Sequence, residues 1–452
     1  MKKFDKNKYL KKIKIKRWLS NYSSYLYLGL SCILVCTLGV YLAYSKFFVS
    51  KEEAVIKTTV GNFIQGDVVI SAYIDNEYSS TIPGKDDGYV VEKVVCDNGA
   101  TGEWDNDKWG LLTTNLTKRT KCNVYFKKVI SNVPDIIATV DTSGKCPTMN
   151  ADGSVSVTAV EATNGYLCKA KDAYGDSYYY RGNVTNNYVL FADKYWRIVR
   201  INGDGTVRVI YDGTAAHANG ESSSDRQIGT SAFNSSYNDN AYVGYMYGAT
   251  GASTYAAAHA NTNDSTIKAY IDNWYRTNIL GTANEHYLAD NVFCNDRSIS
   301  TYTTSSNTKL GYGTNSTYYR WACGPWEGTD CGNMKMMLTC PQQNDAFTVS
   351  DTTNGNGALT YPIGLLSTDE IVLAGGWTAN NSGYYLYSGQ VWWASTPGSF
   401  FDSNARVRFV NSDGKASFGF YVKDSYGVRP VFNLKAEVLK YGDGTLDNPY
   451  HL

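Results

Sequence analysis

Histidine is scarce in this chain: His217, His259, His286 and His451 are the only four among 452 residues, and they lie far apart. No C-x-x-C pair occurs, and no loop gathers the spaced carboxylates that bind calcium. A metal site is therefore not expected, and no other cofactor is indicated. Imidazole-dependent nucleophilic catalysis has no marked base for a Ser, Cys or Thr to pair with. Net charge is lacking too, at +0 from 42 basic and 42 acidic residues. The balance hides an asymmetry. Residues 1–24 hold nine Lys/Arg and one acid, Asp5, so the remainder carries 33 basic and 41 acidic residues, a net of −8. Such a surface does not suit nucleic acid, whose binding is driven by phosphate neutralisation.

One long apolar run is present. The basic head, residues 1–24, leads into YLYLGLSCILVCTLGVYLAY, residues 25–44, which is uncharged. Twenty such residues span a hydrocarbon core as a helix, and the positive flank predicts a cytoplasmic N-terminus with everything from Lys46 outside. Cleavage after Ala43-Tyr44-Ser45 is the alternative. Lipidation of Cys36 is disfavoured by Val35 before it. The expected location is the cell membrane, single-pass, with an extracellular C-terminal part.

Eight of the ten cysteines follow the apolar run. An even number in an oxidising space reads as disulfides. Eight cysteines allow many pairings; nearness in sequence favours Cys96–Cys122, Cys146–Cys168, Cys294–Cys340 and Cys323–Cys331.

A small β module is expected over residues 67–128, with a hairpin at Asp75-Asn76 and core mass from Trp104 and Trp109. Residues 129–143 read as a linker, and 144–171 as a short disulfide-stapled β module. The large domain then runs over 172–452. Its clearest element is YWRIVRINGDGTVRVIYDG (195–213), two alternating strands about an Asn202-Gly203-Asp204-Gly205 turn. Ile267, Tyr270, Ile271, Trp274 and Asn278 fall at helical spacing behind a cap at Asp264 or Ser265, with Gly281 as the stop. Ser367 and Glu370 form a capping box for a shorter helix ended by Gly375 or Gly376. Residues 298–360 are poor in apolar residues and read as long pinned loops. Beyond them, VWWAS, ARVRFV, ASFGFYV and GVRPVFNL read as closely spaced strands. The fold class is α+β and β-rich.

These groups resemble a known pattern when taken in order: W-R-I-V from Trp196, the helix with Trp274, L-L-S-x-D-E from Leu365, W-W-x-S-x-P-G from Trp392, strands about Asp413-Gly414, and G-V-R-P from Gly427. Together they resemble an uncharacterised domain of surface proteins in Gram-positive gut-type bacteria. That domain is akin to the C-type-lectin-like fold of formylglycine-generating enzymes and retroelement-diversified receptors. The resemblance covers roughly residues 172–435 and implies a C-type-lectin-like fold and a surface location, while leaving function open. The thiol or copper chemistry of the enzymes in that group is not carried over, since every extracellular cysteine has an expected disulfide partner.

Candidate binding residues come from residue types. Tyr, Ser, Gly and Asn dominate adaptable recognition loops, and 38 tyrosines occur here. The candidate set is Trp377, Tyr384, Tyr385, Tyr387, Trp393, Phe400, Phe401, Asn404, Arg406 and Arg408. Adjacent residues on a strand point to opposite faces, so Trp392 and Trp393 are not expected to enter one core together. Phe400 and Phe401 follow Pro397-Gly398, which reads as a turn on the surface. Arg406 and Arg408 alternate with Ala405, Val407 and Phe409 and are expected to face out. Trp196, Trp274, Trp392 and Arg429 are assigned structural roles, Arg429 as one half of a buried ion pair. The leading expectation is a tethered surface protein that binds a glycan or protein ligand through aromatic loops. A cell-wall or glycan-active enzyme and a purely structural envelope protein are the alternatives.

Overall fold

The computed structural model describes residues 68–452 apart from 86–88, 106–107, 116–119, 129–130, 158–163, 302–309, 323–334 and 378–380, together with 64–65 and six of residues 10–17. The expected membrane segment, residues 25–44, lies outside the described residues, as do Cys323 and Cys331. Among the described residues no helix is long and apolar enough to cross a membrane. The chain divides into two compact units, Met1–Val129 and Ile130–Leu452.

In the first unit, Val68–Ile74 turns through Asp75 and Asn76, both at positive φ, into Glu77–Ser79. Val68–Ile74 also pairs in parallel with Thr120–Lys128, which pairs antiparallel with Tyr89–Cys96. That last register sets Cys96 directly opposite Cys122, and the two form a disulfide. Trp104, Trp109 and Phe126 meet edge to face over a small core of Ala72, Leu111, Cys122 and Val124.

The second unit begins at Ile130, well before Asp172. The stretch expected to be a linker contains the helix Val133–Ala138, whose Val133 and Ile136 are buried in the main core. Ser131 and Asn132 bond the carbonyls of Ala436 and Leu439. Residues 144–171 are likewise part of this unit. Tyr166–Asp172 is the first strand of its larger sheet, and Val155–Ser156 pairs with Lys335–Met336. The error has one cause: a short β segment buries too little apolar surface to stand alone and needs a neighbour. The disulfides Cys146–Cys168 and Cys294–Cys340 are both formed.

Two antiparallel-dominated sheets organise the unit, so the α+β, β-rich class holds. The first runs Tyr166–Asp172, Gly175–Arg181, Lys194–Ile201, Val207–Gly213, Val431–Leu434, Ile363–Gly364, with Tyr188–Phe191 also on Lys194–Ile201. One face carries Trp196, Tyr211 and Phe432, whose rings meet Trp274 of the long helix Thr266–Asn278. That helix is capped by the Ser265 hydroxyl as the sequence predicts, but its buried side includes Lys268 and Asp272. These two satisfy each other at 2.6 Å. Burying a charge is tolerable when its partner comes with it.

The second sheet runs Thr230–Ala232, Ser425–Gly427, Trp392–Phe401, Asn404–Val410, Ala416–Tyr421, with Thr317–Tyr318 added to Trp392–Phe401. Pro397-Gly398 does not turn the chain. Trp392–Phe401 is one continuous strand of ten residues that absorbs the pair as register shifts against its neighbour. Trp392 and Trp393 are both buried, at 1% and 0% exposure, because both faces of this sheet are covered at that end. Trp393 meets Phe233 and Tyr426 and donates to the Ser231 carbonyl, while Trp392 lies beneath the Arg429 guanidinium.

Buried guanidiniums tie distant segments together. Asp212 Oδ1 accepts from Arg226 at 2.7 Å and Arg429 at 2.8 Å, and Arg197 stands 3.9 Å from Oδ2. Arg197 is completed by Asn187, Asn219 and the Val184 carbonyl, with the Tyr188 ring 3.7 Å beneath it. Arg429 is completed by the carbonyls of Tyr211 and Leu386. Burial pushes its guanidinium down to about 10, with Asp212 opposing the shift. A second group joins Glu370 to Arg200 (3.2 Å) and Arg208 (2.8 Å), with Asp172 also on Arg200. Burial would raise the Glu370 carboxyl, but these arginines hold it below its ordinary value. The capping residue is thus also the acceptor for the first sheet.

Beside Asp212, His217 sits between Glu221 and Asp225, each 2.8 Å from a ring nitrogen. The Nε2 approach to Asp225 is a charge contact rather than an aligned hydrogen bond. Gly213, at φ +130, leaves room for this ring, which a Cβ would meet at 3.0 Å. Burial lowers the imidazole pKa, but the two carboxylates outweigh it and the net shift is upward.

Two outcomes are expected. Asp212→Asn leaves the guanidiniums without their shared anion and should cost roughly 3–5 kcal/mol in urea unfolding, since removing one partner strands buried charge; a loss below about 1 kcal/mol would contradict a central role. For His217 the folded pKa exceeds the unfolded one, so its stabilisation is complete below pH 6.5 and fades as pH rises through the raised value. The stability gap between wild type and His217→Gln should therefore be larger at about pH 5.5 than at about pH 8.5, and an equal gap would refute the clamp.

Candidate functional site

The site is one face of the second sheet. On Asn404–Val410, alternation puts Asn404, Arg406, Arg408 and Val410 on one side and Ala405, Val407 and Phe409 on the other. Cross-strand partners extend the first set. Arg406 is opposite Ser399 on one neighbour and Tyr421 on the other, and Ser399 is opposite Tyr318. Phe401, two residues from Ser399, shares that side. Phe400 points the other way and is buried, so only one phenylalanine of the pair reaches the surface.

A cover segment divides this face. Arg320–Ala322 lays Trp321 over Arg408, whose guanidinium is 5.5 Å from the ring centre and donates to the Trp321 carbonyl. Arg408 is consequently 5% exposed, contrary to the expectation that both arginines face solvent. Alternation assigned its side correctly; a remote loop closed over it. The cover is pinned by Asp369, in the first turn of the helix Thr368–Ala374. One carboxylate oxygen takes the Trp321 indole N–H at 2.7 Å and also Arg320, and the other takes the Met337 amide. Asp296 holds Arg320 from the opposite side at 2.5 Å. Burial, the dominant effect, raises the Asp369 carboxyl, and Arg320 opposes it. Trp377 packs against Trp321 with centroids 6.1 Å apart.

Beyond the cover the face is open. The Arg406 guanidinium lies 5.9 Å from the Phe401 ring and 5.3 Å from Tyr421. Lys423 lies 5.7 Å from Tyr421 and 4.0 Å from Tyr237. Tyr318 meets Phe401 at 6.2 Å. Rings and cations therefore alternate in one row from Phe401 to Tyr237, with Tyr421 in its middle; Tyr237 and Tyr421 are 37% and 38% exposed. Each contact is in the range where the ring quadrupole attracts a cation.

The structure separates the expected binding residues. Phe401, Asn404 and Arg406 are half-exposed and belong to the row. Trp393, Phe400, Tyr384, Tyr385 and Arg408 are buried and corrected to structural roles. Tyr384 donates to the Gly414 carbonyl, and Tyr385 flanks Arg197. Tyr387 and Trp377 are half-buried and pack on the core. Trp196, Trp392 and Arg429 are buried, and Trp274 is half-buried against the same core. The residues missed are Tyr237, Tyr421 and Lys423. Tyr421 ends an alternating strand and was discoverable from that; Tyr237 is remote in sequence and carried no signal.

Elsewhere, a cavity of about 280 Å³ is lined by Thr139, Asp141, Tyr166, Tyr180, Asn183 and Asn186 among others. Asp141 offers it little, because four donors from Ser143, Lys145 and Cys146 already occupy its oxygens. They hold its carboxyl at about 2, the Ser143 hydroxyl foremost. His259 is buried, its Nε2 3.0 Å from the Gly311 carbonyl, and burial keeps it neutral by lowering its pKa to about 3. Among the described residues no cluster of His, Cys, Asp and Glu is arranged to hold a metal.

Comparison with known proteins gives one match: the model of a domain of unknown function, DUF6273, covers residues 334–436, which include the capped helix and most of the second sheet. No curated protein and no solved structure matches the chain.

If Asp369 pins the cover, Asp369→Asn should speed hydrogen exchange in peptides spanning residues 317–322 by about tenfold or more, while strands of the first sheet stay protected. Uniform loss of protection would instead mean a global role.

Proposed function

We propose that the chain is an extracellular binding protein, tethered to the membrane through residues 25–44 with its basic head in the cytoplasm, whose larger unit is C-type-lectin-like and recognises a glycan or protein ligand. The observation that carries this reading is the open row Phe401, Arg406, Tyr421, Lys423 and Tyr237. Several rings grouped on one open face, with cations between them, suit contact with another surface. Rings on strands also lose little freedom on binding, which suits recognition. The eight cysteines after the apolar run, six of them in three disulfides, support an oxidising exterior. The resemblance of residues 172–435 to surface-protein domains supports the same location.

The test is the full-length chain in detergent micelles on an array of glycans and cell-surface proteins. Phe401→Ala with Tyr421→Ala should weaken binding about tenfold, because central aromatic contacts dominate interface energetics, while the urea midpoint stays put. Binding that survives this double substitution would move the site elsewhere. An array with no ligand at all would sink the binding reading.

A further inference from the structure

We infer that the open row on the second sheet is built for an acidic polysaccharide, one whose sugar rings carry carboxylates. This rests on the binding reading above and names its ligand class.

Two observations and one general argument point to that chemistry. The first is charge. Among the described residues neither Arg406 nor Lys423 forms an ion pair. Asp402 and Asp424 lie near in sequence, but neither pairs with these cations. Both cations lie against the same Tyr421 ring, Arg406 at 5.3 Å and Lys423 at 5.7 Å, so their charges sit together on one open face. Several guanidiniums elsewhere are matched with carboxylates, as Arg200, Arg226, Arg297 and Arg320 show.

The second is alternation. Each cation is held between two rings: Arg406 between Phe401 and Tyr421, Lys423 between Tyr421 and Tyr237. A polyuronide offers the complementary order, an apolar ring face for each aromatic and a carboxylate for each cation. Arg406 can fork a carboxylate through two N–H groups, and Lys423 meets one as a point charge. The third is wetness. A protein partner would dehydrate both cations across a dry interface centre, a costly step without matched carboxylates. A polysaccharide chain laid along the row neutralises them and leaves water at its flanks. Repeated sugars also allow several weak contacts to act together.

The experiment uses the full-length chain in detergent micelles and three immobilised probes: polygalacturonate, neutral dextran and polyphosphate. Polygalacturonate should retain the protein, dextran should not, and about 0.5 M salt should weaken retention through screening. Arg406→Gln with Lys423→Gln, and separately Tyr237→Ala with Tyr421→Ala, should each reduce affinity about tenfold or more. The charge-preserving Lys423→Arg should keep most of it, with urea midpoints confirming that all variants fold. Polyphosphate bound as tightly as polygalacturonate, with no effect of the tyrosine substitutions, would overturn the inference by reducing the row to a charge patch. Binding of neutral glycans or proteins without polygalacturonate would overturn it while leaving the broader binding reading intact. No binding to any probe or array member would remove both.

Discussion

The carboxylate of Asp212 is the constraint on which the larger unit depends. It sits at the end of Val207–Gly213 with no solvent exposure and receives arginines from three places: Arg197 on the neighbouring strand, Arg226 after the hairpin, and Arg429 before the last strand. None of these guanidiniums tolerates burial alone, and each is completed by carbonyls or amides that only the finished fold supplies. The network also fixes Arg429 against Trp392, so a central strand of the second sheet is held by the same charges that brace the first.

Glu370 and Asp369 extend this logic to the site. Both stand in the first turn of one short helix, where carboxylates are favoured near free backbone N–H groups. Glu370 reaches the first sheet through Arg200 and Arg208; Asp369 reaches Arg320 and Trp321 on the opposite side. Adjacent residues on a helix diverge in direction, and here the divergence joins two layers. The outcome is a sheet face covered over Arg408 and open over Arg406. The boundary between the covered and the open part of the face thus falls between two arginines only two residues apart.

Sequence reasoning did well where a local rule governs. The Ser265 cap, the Ser367–Glu370 box and the Asp75-Asn76 turn are short-range hydrogen-bond or φ requirements, and each occurs where its residues demand. The helix stop at Gly375, with φ +122, belongs with them. It did less well where coverage by distant segments decides. Trp393, Tyr384 and Tyr385 have the residue types of a binding surface, yet they pack on the core. Aromatic identity states how much surface a side chain can bury, not whether something arrives to bury it. Pro397-Gly398 misled for a related reason: the pair breaks a regular ladder, but a flanked strand can shift register and continue.

By itself the sequence determined the alternation of sides along Asn404–Val410, the capped helices and the β-rich class, because each depends on residues close along the chain; it favoured, without fixing, the three disulfides that form. Only the tertiary structure decided that residues 130–171 join the larger unit, that three arginines share Asp212, and that Tyr237 and Lys423 line up with Tyr421 and Arg406. Those outcomes depend on burial, hydrogen bonding and charge matching between segments as far as 310 residues apart. Such interactions gain strength only when water is excluded, and which segments exclude it is a property of the folded whole.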